Sequence, residues 1–408
     1  MLKRKLLRIA TFFLGCLSFQ ASASLFESLE SRVSGFGTLA LVHGGDDELG
    51  FRKSLANEGA FGEWQLESDT VLGLQLDTNY TDRLSSTLQL VAKSRLSDRL
   101  SDNLEWGFIR YDKEYGGTVR VGRVALDLFM MSEYKDVGLA YNWVRPPVEM
   151  YGLLPLFNID GIDYSYPFTF NNNRLELKVG LGRSKILVDL QGVESDAEMD
   201  SVAISSLSYF VGDAKFKLTA ASASLKAIES DTLDKFVESL SLFAGYEPLI
   251  NTFQVDGERI NYFSLGYQQR WQGWSLISEI TYLDSKTPVF LSSRSAYIHI
   301  GKRIADATFY STVSTVRGTD KPYDLTIPVG TVEPLLSLLQ GAKSLLDMGA
   351  IGQDTIAVGA RWDIYPTVAL KAQWDRSWIP EDKAFLWDRK ARGGSVMDTF
   401  TLNVSFTF

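Results

Sequence analysis

The chain has 408 residues, with 50 acidic and 41 basic side chains and a net charge of −9. This acidic balance argues against nucleic acid as a partner, because binding to a phosphate backbone requires a basic surface. One cysteine and two histidines exclude a disulfide framework and leave few residues for thiolate chemistry or metal binding. We therefore expect no cofactor and no metal site.

The first 23 residues have the pattern of a secretory signal peptide. Four basic residues precede an apolar run over 9–19, and Ala21-Ser22-Ala23 supplies the small residues of a cleavage site. The run is shorter than the roughly 20 residues that a membrane-spanning helix needs. We predict cleavage after Ala23, which removes four cations and brings the net charge from −9 to −13. The alternatives are a retained helix and a lipoprotein acylated at Cys16.

Apolar and polar residues alternate in 16 segments that follow the signal peptide. A period of two predicts half-buried β-strands. In the last segment, the even positions from Phe400 to Phe408 are predicted to face lipid and the odd positions the interior. The segments are 31–43, 66–80, 83–97, 103–112, 118–124, 157–168, 174–182, 200–210, 214–225, 259–271, 274–283, 294–302, 307–316, 354–364, 368–378 and 397–408.

Short and long connections between these segments mostly alternate. The short connections are rich in turn residues, and the long ones are 44–65, 125–156, 184–199, 226–258, 317–353 and 379–396. Short turns at one end and long loops at the other are typical of outer-membrane barrels. Residues 24–408 are therefore predicted to form an all-β fold: one transmembrane, antiparallel, up-and-down β-barrel of about 16 strands. Its long loops are external, its short turns are periplasmic, and its last strand pairs with its first.

Two further patterns concern the ends of this barrel. Trp362, Tyr365, Trp374 and Trp378 are predicted to contribute to an aromatic girdle. The external loops 226–258 and 317–353 each contain a segment with helical spacing of apolar residues, 231–243 and 331–348. These helices could narrow the mouth of the barrel or fold into it. Alternatively, they could pack against each other on the rim.

Several segments together resemble the general-porin superfamily of the proteobacterial outer membrane. They are the signal peptide, Ser34–Leu41 (SGFGTLAL), Leu72–Val91, Val119–Val124 (VRVGRV) and the terminal Phe408. The resemblance implies a homotrimer of 16-stranded barrels in contact with outer-membrane lipid and lipopolysaccharide. It also implies that the barrel-assembly machinery reads the C-terminal strand, and that the third long loop folds inward as a constriction.

On this resemblance, 125–156 is the candidate constriction loop, and charges on the loop would face a basic wall. Each of these charges could instead simply line a wet lumen or solvate the loop. The chain lacks both the dense basic ladder of strongly anion-selective channels and the acid-rich constriction motif of enterobacterial porins. The candidate loop residues are Asp127, Glu133, Lys135, Asp136, Arg145 and Glu149, and the candidate wall residues are Arg110, Arg120, Arg123, Arg174 and Lys178.

The expected function is that of a porin: a passive diffusion channel for small hydrophilic solutes and ions in the outer membrane of a Gram-negative bacterium. The net charge of −13 favours cations. A substrate-specific channel and a receptor or adhesin that binds through its loops remain alternatives. An outer-membrane hydrolase would need His43 or His299 beside a nucleophile, but these residues fall on strands one and twelve. We expect no enzymatic activity.

Overall fold

The computed structural model describes residues 30–96, 99–171, 173–190, 194–253, 255–285, 287, 292–319, 325–389 and 394–408. The predicted signal peptide, residues 1–23, lies outside this part of the chain, as does Cys16 within it. Within the described residues, no helix has the length and apolar character needed to cross a bilayer.

Sixteen long antiparallel strands form one closed barrel, which confirms the predicted fold class. Each strand pairs with its neighbours in chain order. The strands are β1 (Glu30–Gly44), β2 (Val71–Asn79), β3 (Leu84–Lys93), β4 (Leu104–Asp112), β5 (Thr118–Ala125), β6 (Asn158–Phe170), β7 (Asn173–Asp189), β8 (Glu194–Val211), β9 (Ala214–Glu229), β10 (Glu258–Trp271), β11 (Trp274–Ser285), β12 (Ser293–Ile304), β13 (Ala307–Gly318), β14 (Gly352–Tyr365), β15 (Val368–Ile379) and β16 (Ser395–Thr407).

The ring closes between β16 and β1, whose register runs from Phe36 opposite Thr407 to Gly44 opposite Thr399. The terminal residue takes part in this closure. Its amide and carbonyl groups each form a 2.9 Å hydrogen bond with the backbone of Gly35. Closure satisfies the backbone groups of both edge strands, which a lipid environment requires.

The alternating pattern of the sequence separates the two faces of the wall. On β12, Ile298 is 59% exposed and His299 is 1% exposed. On β16, Phe400 and Leu402 face outward, whereas Thr401 is buried in the interior. The prediction that even positions of the last strand face lipid is confirmed.

Exposed aromatic side chains occur at both ends of the outer face. Trp362 and Tyr365 lie at the short-turn end of β14, and Trp378 lies at the long-loop end of β15. Trp374 is half-buried, and its indole N–H donates a 2.9 Å hydrogen bond to Asp398. These positions match an outer face with aromatic residues at both membrane interfaces.

The largest differences from the predicted strand boundaries lie in two places. β7 and β8 continue to Asp189 and Glu194, which pair with each other, so 184–199 is not a long loop. A register shift between Met199 and Val202 interrupts the alternation here, which hid the continuing strand from a pattern of period two. The other difference is at β2, which begins at Val71 rather than at residue 66.

In the part of the chain that the structure describes, four α-helices lie in the connections. They are α1 (Val148–Tyr151), α2 (Asp231–Ser241), α3 (Glu247–Phe253) and α4 (Leu335–Met348). Helices α2 to α4 pack together through Leu240, Leu249 and Leu339, in an apolar cluster separate from the barrel interior. The helices of the two loops therefore pack against each other, which is one of the arrangements that the sequence left open.

Candidate functional site

The connection from β5 to β6, residues 126–157, enters the barrel; we call it the inner loop. Its first part is strongly apolar, and Leu126, Leu128, Phe129, Met130 and Met131 are all buried. Burial of these apolar side chains away from water is favourable, and they are buried in the interior of the barrel. The inner loop then forms polar contacts with strands on several sides of the barrel.

Arg145 is a buried anchor of the inner loop. Its guanidinium donates to the carboxylates of Asp69 at 2.6 Å and Asp375 at 2.8 Å, and also to the hydroxyl of Thr401. Burial lowers the pKa of Arg145, but the charges of the two aspartates outweigh burial and raise it above its ordinary value. The guanidinium also lies 4.7 Å from the ring centre of Phe51. Arg145 thus ties the loop to β15, β16 and the first external loop.

Glu149 is a second buried anchor, on α1. Its carboxylate accepts hydrogen bonds from Ser314 at 2.8 Å and Gln353 at 2.6 Å. The hydroxyl of Ser295 donates to its backbone carbonyl at 2.8 Å. These partners belong to β12, β13 and β14, so this residue fixes the loop to the wall next to the Arg145 anchor.

Lys371 on β15 holds the middle of the inner loop. Its ammonium group donates to the backbone carbonyls of Gly138 at 2.6 Å, Tyr141 at 2.9 Å and Trp143 at 2.7 Å. Arg361 on β14 donates to the carbonyls of Leu139 and Tyr141, both at 2.8 Å. Neither residue was among the candidate pore residues predicted from the sequence. The alternation on β15 places Lys371 in the lumen but gives no sign of its acceptors.

Aromatic packing fills the space between the inner loop and the strands that anchor it. Trp143 lies edge-on to His299 of β12 with ring centres 4.1 Å apart, and the ring of Phe129 lies 5.7 Å from that of Tyr262 on β10. His43 instead contacts Trp64, on the first external loop. The two histidines therefore occupy separate environments, and His299 is part of the packing under the loop.

On the other side of the inner loop, charged groups replace apolar packing. Asp127 accepts from Lys217 at 2.6 Å and from Ser206 at 2.7 Å. Burial raises the pKa of Asp127, but the charges of Lys217 and Lys178 outweigh it and bring the pKa to about 2. Glu133 pairs with Lys178 at 3.0 Å, and this charge is the main cause that lowers the pKa of Glu133.

A second charged cluster lies nearer the external end. Lys135 contacts Glu105 at 3.1 Å and Asp136 at 2.5 Å, and Lys93 contacts Asp136 at 2.7 Å. Burial raises the pKa of Asp136, but the charges of Lys135 and Lys93 hold it well below its ordinary value. On the barrel wall, Arg120 of β5 pairs with Asp163 of β6 at 2.6 Å. Loop and wall charges thus meet on the β3–β9 side.

The structure places the remaining candidate wall residues in three other settings. Arg123 pairs with Asp160 at 2.7 Å at the external end of β5. Arg110 pairs with Asp112 near the short-turn end and is half-exposed. Arg174 is exposed at the start of β7 and pairs with Glu176 of its own strand. Of the candidates, those in the charged clusters beside the inner loop are Asp127, Glu133, Lys135, Asp136, Arg120 and Lys178.

Two cavities lie on this charged side. The external cavity, about 740 Å³, lies between the inner loop and the wall from β2 to β8. Lys93, Glu105 and Asp136 are among its lining residues. The periplasmic cavity, about 340 Å³, lies at the short-turn end of β1 to β5, and Arg110 and Arg120 line it.

The chain was compared with known proteins by sequence and by structure. No protein-family model and no characterised protein match its sequence. In structure it is similar to OmpF of Salmonella typhi in complex with daunomycin, with a TM-score of 0.54 and 9% identity over 93% of this chain and 97% of that one. It is also similar to the anion-selective porin from Comamonas acidovorans, with a TM-score of 0.52 and 10% identity over 93% of this chain and 100% of that one. The similarity to outer-membrane OmpT of Vibrio cholerae has a TM-score of 0.51, with 10% identity over 93% of this chain and 98% of that one.

These similarities establish that the chain has the fold of Gram-negative outer-membrane porins. The apolar outer face supports the same conclusion, because a closed barrel with such a face is compatible with a bilayer and poorly compatible with water. The chain is thus a closed β-barrel whose apolar outer face suits a membrane.

Proposed function

We propose that the chain is a channel for the passive diffusion of small hydrophilic solutes and ions across the outer membrane. The observation that carries this proposal is the asymmetric position of the inner loop. Arg145, Glu149 and Lys371 fix the loop to one side of the barrel, whereas charged groups and two cavities lie on the other. The permeation path would join the external cavity to the periplasmic cavity along the β3–β8 wall.

The inner loop would set the size limit of this path. Its apolar residues, such as Phe129 and Trp143, pack in the lumen against β10 and β12, so the loop narrows the barrel. Its charged residues Lys135 and Asp136 line the external cavity that remains, and Asp127 and Glu133 form ion pairs with Lys217 and Lys178 on the same side. A solute in the path would exchange its hydration for these groups, as in other selective pores.

The lining charges predict a preference for anions. Among the described residues, seven basic and five acidic side chains line the external cavity, and three basic and two acidic side chains line the periplasmic cavity. The path is thus net basic although the whole chain is net acidic at −9. Selectivity follows the local field at the narrowest region more than the total charge. We therefore expect anions to permeate a few-fold better than cations, opposite to the preference inferred from total charge.

Planar-bilayer recording in a potassium chloride gradient tests both statements. We expect stable open channels with a reversal potential that reports chloride preference. Replacing Lys53, which lines the external cavity, with Gln should shift the reversal potential toward cations. The matched control is Arg376→Gln, on the outer face of β15. Absence of conductance from folded protein would refute the channel. Cation preference would refute the role of the lining charges.

A receptor that binds through its external loops is the second candidate. The loops that carry α2 and α4 expose Leu242, Val329 and Val332 to water, and such groups of exposed apolar residues favour contact with another molecule. Folded protein that is silent in bilayers but binds a ligand through these loops would support the receptor in place of the channel.

We also propose that the protein assembles as a homotrimer and that the barrel-assembly machinery recognises the strand that ends at Phe408. The porin fold supports the first proposal. The exposed terminal aromatic residue on a closing strand supports the second. Light scattering of the detergent-solubilised protein, corrected for bound detergent, would give the number of chains.

A further inference from the structure

Two arginines lie side by side on the outer face of the barrel. Arg294 on β12 is directly opposite Arg317 on β13, and both belong to the set of positions that face outward. Directly opposite residues of antiparallel strands have their Cβ atoms about 4.5–5.5 Å apart, and like charges in such a pair destabilise the sheet. The pair therefore needs an anion to offset the repulsion.

The structure shows a carboxylate beside only one of the two arginines. Asp354 on β14 pairs with Arg317 at 2.5 Å, on the side away from Arg294. Within the described part of the chain, Arg294 has no carboxylate partner; it lies over the ring of Tyr282, 5.6 Å from the ring centre. Asp284 is the next acid on β11, and it accepts hydrogen bonds from Asn261 and Ser292.

The depth of the pair in the membrane identifies the kind of anion. Toward the short-turn end, the exposed outward residues of the same three strands are apolar: Ile280 on β11, Ile298 on β12 and Val313 on β13. The arginines are the last outward residues before the external loops. They are thus at the level of the lipid headgroups of the external leaflet.

We propose that Arg294, Arg317 and Tyr282 form a binding site for the phosphate group of an outer-leaflet glycolipid. Guanidinium groups present fixed forks of donors that suit phosphate oxygens. Tyr282 would pack against the sugar next to the phosphate, and the acyl chains would lie along the apolar residues below. The site rests on the proposed orientation, in which the long loops are external, but it does not depend on conduction.

The test measures lipid binding to the folded barrel in detergent by native mass spectrometry. The probes are lipid A with two phosphates and the same lipid after enzymatic dephosphorylation. We expect the natural protein to bind the phosphorylated form roughly tenfold more tightly, since charge-assisted hydrogen bonds of this kind contribute enough for such a factor. The double variant R294Q/R317Q should lose this discrimination. Arg303→Gln, at the short-turn end of β12, is the matched control and should retain it.

Each other outcome refutes part of the proposal. Equal affinity for both lipids would show that phosphate is not recognised, and unchanged binding by R294Q/R317Q would place the site elsewhere. Displacement of the lipid by millimolar inorganic phosphate would indicate a site for a free anion. Circular dichroism and heat-dependent gel mobility show whether the variants fold. Bilayer recording of the same samples separates failure of this site from failure of the channel.

Discussion

Replacing Arg145 with Met is expected to release the inner loop from β15 and β16 and to raise single-channel conductance several-fold. The substitution keeps most of the side-chain volume but leaves Asp69 and Asp375 as buried carboxylates without their cation. Breaking a buried ion pair by removing one partner costs about 3–5 kcal/mol. Conductance and tryptic cleavage at Lys135 in the intact barrel measure the release.

Two controls show whether the unpaired charges are the cause. Arg376→Met removes an arginine of the exposed pair with Asp398 on the outer face, which is expected to contribute about 0–1 kcal/mol and should leave the loop in place. The triple variant R145M/D69N/D375N removes the carboxylate charges as well, so it should recover part of the protection. A variant R145M with natural conductance and natural resistance to trypsin would contradict the anchoring role.

Acid is expected to release residues 126–137 of the inner loop only below about pH 4. The pKa of Asp127 is about 2 in the folded protein, and those of Glu133 and Asp136 are also lowered, whereas free carboxyl groups have pKa values of about 3.9–4.3. A carboxyl group whose pKa is lowered in the folded protein stabilises the packed loop. This stabilisation is complete at a pH above the pKa of the free group, and it is lost as the pH falls toward the pKa in the folded protein. For Asp127 alone, it amounts to about 2–3 kcal/mol.

Limited digestion with pepsin across pH 4 to pH 2 measures this release, with cleavage within residues 126–137 as the readout. Asp127→Asn should already be cleaved at pH 4, because it lacks the charge that pairs with Lys217. The matched control is Asp398→Asn, at an outward-facing position near the start of β16, and this variant should behave like the natural protein. Cleavage of the natural protein at pH 4 as rapid as at pH 2 would contradict the lowered pKa values.

The strands were predictable because lipid on one side and water on the other impose a strict alternation on each of them. This constraint gives the strand number and the lumenal position of Lys371 and His299, and it fails where the chain rises above the bilayer. The first part of β8 shows this, since a register shift near Met199 breaks the period while pairing continues. Helical spacing likewise predicted α2 and α4, because each buries one apolar face.

The contacts of the inner loop were not predictable in the same way. The sequence marks Arg145, Glu149 and Asp127 as charges on a long loop, but it does not say which wall each charge meets. Arg145 bonds to residues 76 and 230 positions away in the chain. Pairings of that kind depend on how the closed ring brings distant strands together. The basic character of the candidate path also emerges only after folding, since total charge has the opposite sign.

The strands differ in length around the ring, and the barrel wall therefore differs in height. β8 has 18 residues and β5 has 8, which at the usual tilt correspond to roughly 45 Å and roughly 20 Å along the barrel axis. The longer side stands well clear of the bilayer, and the shorter side ends near its surface. A solute can thus approach the external cavity sideways over the low edge. Antibodies and phage would first meet the tall side, so substitutions that alter surface recognition can accumulate there without changing the route to the pore.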